Sequence, residues 1–151
     1  MLPNIFTLEI VDNLKTRINK LHAKSDPKWG MMNVGQMLAH CNVTYEMIYT
    51  NIHPKPNFFM KLILKSFVKK GVVNEVPYAK NLKTAPQFII KEQKDFDVEK
   101  KRLFDYLDKT MELGESHFDG KASHSFGSLS TAEWNNMMYK HLDHHLTQFG
   151  V

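Results

Sequence analysis

Two histidines, His141 and His145, lie four residues apart near the end of the chain. They interrupt a helical stripe of apolar residues: Trp134, Met137, Met138, Leu142, Leu146 and Phe149. At about 100° per residue, both histidines fall near the centre of that apolar face. We therefore predict that both imidazoles point into the core from successive turns of one helix.

A buried imidazole pair has two interpretations. Neutral imidazole is a good ligand for Zn, Ni, Cu and Fe, so His141 and His145 could be part of a metal site. Alternatively they are core histidines whose nitrogens bind backbone carbonyls, waters or tyrosine hydroxyls, because an unpaired buried imidazole is costly. The spacing of four residues is common in helices and leaves both interpretations open.

A metal site inside a helical protein needs ligands from a facing helix, and His40 is the best candidate. It lies midway along the second predicted helix, on the side of Met37, Thr44 and Met47. The alternative is a histidine at the edge of the core. Its neighbour Cys41 lies on the apolar face of that helix, where a buried, inert thiol is expected.

The remaining histidines have weaker indications. His124 and His144 could be ligands or outer partners of the site, although solvent exposure or a local hydrogen bond is the simpler interpretation. His22, His53 and His117 lie near helix ends or loops and are expected to be solvated. Gln148, one turn after His145, could hold a substrate or a water, or could be an ordinary polar residue at the end of the helix.

Helical periodicity predicts four long helices that position these residues. The first follows the N-cap Thr7 and ends near His22; the second follows the N-cap Asn33 and ends near Thr50; the third spans Phe96 to Leu113 before Gly114; the fourth follows a capping box at Ser130 and Glu133 and ends at Phe149. Short joins within the first and last pairs predict an all-α, four-helix bundle.

The connection between the second and third helices, residues 51–95, is long enough to cross the bundle from end to end. Its segment Phe58–Lys70 predicts a short amphipathic helix that carries four lysines. We expect this helix to pack on the domain as a lid with its lysines in water. The alternatives are an anionic membrane or a partner protein. Gln87–Lys91 is the most strand-like fragment.

The composition fits a single globular domain over residues 1–151, with 42% hydrophobic and 24% charged residues. One cysteine excludes an internal disulfide, and no apolar run is long enough for a transmembrane segment. The first residues lack the features of a signal peptide, so we expect a soluble, cytoplasmic protein. The net charge of +4, without a recognised motif, predicts no binding of nucleic acid.

Two blocks of sequence resemble the DinB-like superfamily (DinB/YfiT type). Asn33–Cys41 (NVGQMLAHC), preceded by Trp29, is similar to the second-helix signature of that superfamily. The later block is longer: HSFGSLS from His124, then Glu133-Trp134, then KHLDHHLTQFG ending at Gly150. It resembles a branch of unknown function with a KHLDHHLxQFG signature. Ser125 stands where that branch has proline, which affects the loop only.

This resemblance implies a bundle of up-down-down-up order and a three-histidine metal site formed by His40, His141 and His145. It also implies a homodimer. Some DinB-like relatives are thiol-dependent transferases, so the implied function is a metal-dependent enzyme. It would use Zn or Ni, with a low-molecular-weight thiol as cosubstrate or with water in a hydrolysis, on an unknown small molecule. The alternative is a non-catalytic binding module for a partner or membrane surface, with structural core histidines.

Overall fold

The computed structural model describes residues 1–151 and is mostly helical. Its α-helices are Leu8–Asn19 (α1), Val34–Tyr49 (α2), Phe58–Ile63 (α3), Lys69–Val73 (α4), Phe96–Phe118 (α5) and Thr131–Gln148 (α6). A π-helical turn, Leu64–Val68, joins α3 to α4, and a 3-10 turn spans Pro86–Phe88. Two-residue strands β1 (Ala122–Ser123) and β2 (Gly127–Ser128) pair antiparallel.

The predicted caps begin the two helices that carry the candidate site. Asn33 accepts a hydrogen bond from the Gln36 amide at the start of α2, and the Gln36 side chain returns the contact. Ser130 and Glu133 form the predicted capping box of α6. Each box satisfies two amides that a helix start leaves without partners, so both helices have defined first turns.

The four long helices, α1, α2, α5 and α6, enclose one apolar core. α2 packs on α5 and α6, and α1 packs on the same two helices. From α6 the predicted stripe enters this core, with Trp134, Met138, Leu142 and Leu146 at most 1% exposed. α2 is buried around most of its surface, since polar residues such as Asn42 and Thr44 are also buried. It is therefore the central helix.

Helix α5 is longer than the sequence indicated. Gly114 has a positive φ of 67° and ψ of 176°, which is not helical, and a further turn follows it to Phe118. The predicted stop at Gly114 is thus a kink, since glycine adopts this backbone conformation without a steric penalty. The extra turn brings Phe118 into the core against Phe6, at a ring-centroid distance of 5.1 Å, and against Trp134 at 5.4 Å.

The segment 58–70, which we call the arm, does not pack as a lid. Its lysines Lys61, Lys65 and Lys70 are exposed as predicted, but Phe58 and Phe67 are also more than 80% exposed. The end of the arm and the following residues contact the body, where α4 lies on α6. The lid prediction is therefore wrong, because the phenylalanines that should pack on the domain are exposed.

The most strand-like fragment of the sequence, Gln87–Lys91, forms no strand. The segment forms the 3-10 turn Pro86–Phe88 and then an irregular stretch. Proline at the first position of the turn supplies the required φ. The strands that do form, β1 and β2, are too short to show any alternation of apolar and polar residues. None of the helices combines the length and the apolar composition that a membrane-spanning helix needs.

Removing the Ser130 cap should lower the stability of the protein without changing its fold. The Ser130 hydroxyl accepts from the Glu133 amide at the start of α6, and losing such a cap costs about 1 kcal/mol. We expect Ser130→Ala to lower the free energy of unfolding by that amount in urea titrations. Ser116→Ala is the matched control, since Ser116 is exposed on α5. Equal stabilities of the two variants would contradict the prediction.

Candidate metal centre

Three histidines from two helices meet between α2 and α6. His40 comes from α2, and His141 and His145 come from successive turns of α6. Their candidate ligand nitrogens all lie within 4.8 Å of one another. His40 and His145 are buried at 5% and 7% exposure, and His141 is partly buried. The structure thus brings together the three residues that the sequence analysis proposed.

The three rings contact each other closely. The Nε2 atoms of His40 and His141 are 2.9 Å apart. The ring centroid of His145 lies 4.5 Å from that of His40 and 4.9 Å from that of His141. A single ion between the rings could therefore contact all three.

The imidazole of His40 is oriented by the backbone of the middle connection. Its Nδ1 lies 2.8 Å from the carbonyl oxygen of Phe88. A carbonyl can only accept, so Nδ1 carries the proton and Nε2 presents a lone pair to the other rings. This is the tautomer that a ligating histidine adopts when its second nitrogen donates to a backbone carbonyl.

The imidazole of His145 is oriented by the end of its own helix. Its Nδ1 lies 2.8 Å from Oε1 of Gln148, and the Gln148 amide nitrogen donates to the Trp29 carbonyl at 2.7 Å. The second contact assigns oxygen and nitrogen of the amide, so the oxygen faces His145 and accepts from Nδ1. A Cβ atom on Gly30 would lie 2.5 Å from the Gln148 amide nitrogen. Glycine at that position therefore leaves room for this amide.

The imidazole of His141 contacts a hydroxyl, that of Thr44 on the facing helix α2. Its Nδ1 lies 3.1 Å from the Thr44 hydroxyl oxygen. Because His40 Nε2 is an acceptor, the 2.9 Å contact requires a proton on His141 Nε2. The Thr44 hydroxyl then donates to His141 Nδ1. A hydroxyl can also accept, so His141 can move its proton to Nδ1 and release its Nε2 for an ion.

Burial keeps all three histidines neutral. Desolvation lowers the pKa of His40 and lowers that of His145 to about 3, with further lowering by the neighbouring histidines. The pKa of His141 lies well below its usual range for the same two reasons. Neutral imidazoles have the lone pairs that metal binding requires. Buried, neutral and preoriented nitrogens therefore fit a divalent transition metal.

The cluster itself contains no charged ligand, and an aromatic ring packs against it. The Phe88 ring lies 5.2 Å from that of His40 and 5.7 Å from that of His141, measured between centroids. No carboxylate or thiol belongs to the cluster. Cys41 is buried beside Met37, as predicted, and burial raises the pKa of its thiol. Three neutral ligands would leave the full charge of an ion available to a fourth ligand.

His144 lies outside the cluster and lines a cleft behind it. Its ring is 5.1 Å from that of His145 and packs edge-on against Trp29 and Tyr78. The cleft has a volume of about 180 Å³. Its polar lining includes Glu75, Lys80, Lys140, Asp143 and Thr147. His144 is thus a wall residue between the cleft and His145.

The other histidines do not join the site. His124 contacts the Ser125 hydroxyl at 2.9 Å and the His53 carbonyl at 3.4 Å, which are local interactions. His53 was predicted to be solvated, but it is partly buried and lies 2.7 Å from the Glu46 carboxylate. His22 and His117 are exposed, as predicted.

Sequence reasoning missed the outer partners of the cluster. Gln148 was considered for substrate or water, whereas it holds His145. Thr44 was noted only as a residue on the same side of the second helix as His40. Phe88 lies in the fragment that was described as the most strand-like. The only sequence signal was the spacing of Thr44, four residues after His40, and of Gln148, three after His145. The Phe88 carbonyl has no such signal, since it is a backbone atom in an irregular segment.

Comparison with known proteins assigns the chain to a family without a known activity. Residues 6–150 match the family described as "Protein of unknown function (DUF1569)". The chain belongs to this family. No curated protein matches it, and no solved structure matches it.

The metal-free protein should lose stability as the pH falls below about 6.5. His40, His141 and His145 have lowered pKa values when folded, so the unfolded chain binds more protons there than the folded chain does. The free energy of unfolding should fall by up to about 1.4 kcal/mol per pH unit for each histidine. Urea titrations with a chelator measure this slope. His145→Gln should reduce the pH dependence of the free energy of unfolding by the contribution of one proton, about 1.4 kcal/mol per pH unit. The exposed His22→Gln should leave it unchanged. An unchanged slope in His145→Gln would refute this account.

The outer contact of Gln148 should control metal affinity. Gln148→Leu removes the acceptor for His145 Nδ1 but keeps the size of the side chain, and losing such a partner weakens binding about 10–100-fold. Gln148→Glu keeps an acceptor oxygen and should lose less affinity. Competition with a fluorescent zinc chelator measures both variants, and thermal unfolding checks that they remain folded. Equal zinc affinity of Gln148→Leu and the wild type would show that this contact is irrelevant.

Proposed function

We propose that this chain is a metal-dependent enzyme whose site is formed by His40, His141 and His145. The ion is Zn or Ni, and the reaction is thiol-dependent transfer or hydrolysis of a small molecule. One observation carries the proposal: three neutral imidazoles from two helices converge, and each has an outer partner on Nδ1. Core histidines need partners too, but they do not need to point their remaining nitrogens at one another.

We also propose that the fold is a DinB-like four-helix bundle in up-down-down-up order. The mutual packing of α1, α2, α5 and α6 supports the bundle. The two blocks similar to the DinB-like superfamily contain His40 in one and His141 and His145 in the other. The homodimer that this resemblance implies is part of the proposal.

The surroundings of the site favour an external nucleophile. A divalent ion with three imidazole ligands and an open position is a Lewis acid that lowers the pKa of a bound water or thiol. The Cys41 thiol cannot substitute, because it is buried beside Met37 and its pKa is raised. The attacking group is therefore a thiol cosubstrate or water. Phe88 limits access of bulk water on one side.

The cleft beside His144 is the proposed entrance for the small molecule. Its wall includes the aromatic rings of Trp29 and Tyr78, and the Lys80 amine lies over the Trp29 ring at 4.3 Å. The aromatic faces suit a small organic substrate. The lining supplies charges of both signs, from Lys80 and Lys140 and from Glu75 and Asp143. His144 lines this cleft and its ring centroid lies 5.1 Å from that of His145, so the cleft approaches the site at this residue.

The alternative function is a non-catalytic binding module with structural core histidines. The exposed phenylalanines of the arm favour it, since large exposed apolar groups mark interaction surfaces. The arm and the histidine cluster lie on different elements, so the two functions do not exclude each other.

Metal analysis tests the proposed site. We expect about one equivalent of Zn or Ni per chain by elemental mass spectrometry on untagged protein. His40→Ala, His141→Ala and His145→Ala should each lose the metal, because a ligand is removed. His144→Ala and His124→Ala are matched controls that should keep it, since both residues lie outside the cluster. Circular dichroism checks that each variant is folded.

The same proteins separate the proposed functions. A transferase should transfer a thiol to model electrophiles only when it is loaded with metal, and a hydrolase should act without added thiol. Wild-type protein that is empty and takes up no added Zn or Ni would return the three histidines to a structural role. Metal that survives in His141→Ala would show that it binds elsewhere.

A further inference from the structure

The arm presents its large apolar side chains to water. Phe58 is 85% exposed, Phe67 is 81% exposed and Phe59 is 70% exposed. Leu62, at 53%, lies one turn after Phe58 on the same side of α3. Monomeric proteins seldom expose so many large apolar groups in one short stretch, and such patches mark interaction sites.

The segment that contains the arm carries only positive charges on its side chains. Residues 47–74 contain no aspartate or glutamate, and they include five lysines: Lys55, Lys61, Lys65, Lys69 and Lys70. The chain as a whole has a net charge of +4, so the remaining residues sum to −1. The positive charge is therefore concentrated where the exposed phenylalanines lie, and the body is close to neutral.

The end of the arm and the residues that follow it, 69–74, form a base that is fixed to α6. Lys69 forms an ion pair with Glu133 at 2.7 Å, and the Asn136 side chain donates to the Val73 carbonyl at 2.9 Å. The Lys140 amine donates to the Gly71 carbonyl at 2.9 Å and to the Asn74 carbonyl at 2.7 Å. These contacts satisfy backbone carbonyls at the C-terminal end of α4. The arm therefore extends from a base that is fixed to the body.

We propose that the arm docks the protein on an anionic lipid surface. Phenylalanine and leucine side chains enter the boundary between headgroups and acyl chains, and Lys61, Lys65 and Lys70 contact the anionic headgroups. Helices with apolar and lysine-rich sides bind membranes in this way. The long stems of lysine let the amines reach the headgroups while the neighbouring rings are buried.

The charge pattern argues against a second copy of the chain as the occupant. Two arms placed face to face would bring two lysine-rich, acid-free segments together, and such like charges repel. The residues outside the segment sum to a net charge of only −1, so the body carries no large excess of negative charge to attract an arm. An anionic membrane matches both the apolar groups and the lysines.

Vesicle sedimentation tests the proposal on the full-length protein. We expect wild-type protein to pellet with vesicles of phosphatidylcholine mixed with phosphatidylglycerol, and to stay in solution with phosphatidylcholine alone. Added salt should weaken the binding, because surface charge is screened. Each lysine near an anionic surface is worth about fivefold in partitioning, so Lys61→Gln/Lys65→Gln should bind about 25-fold more weakly.

Matched variants separate the arm from general charge. Lys20→Gln/Lys24→Gln removes the same charge from exposed positions on the body and should lose far less binding. Phe58→Ser/Phe67→Ser keeps the charge and should abolish pelleting, without a lower melting temperature, since both rings are exposed. His141→Ala should bind vesicles like the wild type, so a failure of the metal site would leave this test intact.

Three results would overturn the proposal. The first is wild-type protein that does not pellet with the anionic vesicles. The second is equal loss of binding in Lys20→Gln/Lys24→Gln and Lys61→Gln/Lys65→Gln, which would indicate non-specific attraction. The third is a dimer in light scattering that Phe58→Ser/Phe67→Ser converts to a monomer. That result would show that the arm binds a second copy of the chain and not a membrane.

Discussion

Three imidazole rings lie in the interior between α2 and α6, where an unpaired polar nitrogen is costly. Each outer nitrogen therefore has a partner, and the partners come from different parts of the chain: the Phe88 carbonyl, the Thr44 hydroxyl and the Gln148 amide. The contact of the Phe88 carbonyl with His40 holds the connection after the arm over the site. Gln148, which contacts His145, also binds the Trp29 carbonyl and so holds the loop before α2.

Helix α6 serves three purposes with two of its sides. Its apolar stripe fills the core, and His141 and His145 lie among the stripe residues. Glu133, Asn136 and Lys140 recur at spacings of three and four residues, so they share another side, where they hold the base of the arm. Burial lowers the pKa of the Lys140 amine to about 8. Its backbone partners nevertheless accept from it, as carbonyls at a helix end do.

The sequence predicted the parts of the fold that depend on local chemistry. The caps at Asn33 and Ser130 are read from side chains next to the amides they satisfy, and both are present. The arm shows where the pattern was insufficient. Amphipathic periodicity indicated that it has an apolar side, but whether that side is buried depends on what lies opposite. Gly114 is similar: its positive φ ends one helical segment, yet core contacts of Phe118 stabilise a further turn.

By itself, the sequence determined that His141 and His145 lie within the apolar stripe of one helix, because helical spacing depends only on local geometry. It also placed His40 on a second helix. The resemblance to the DinB-like superfamily then grouped His40 with His141 and His145 in one predicted site. Only the tertiary structure decided how each ring is oriented. His40 is set by a carbonyl 48 residues away and Gln148 by one 119 residues away. Those partners are backbone atoms, which every residue carries, so no side-chain pattern can indicate which of them will meet the site.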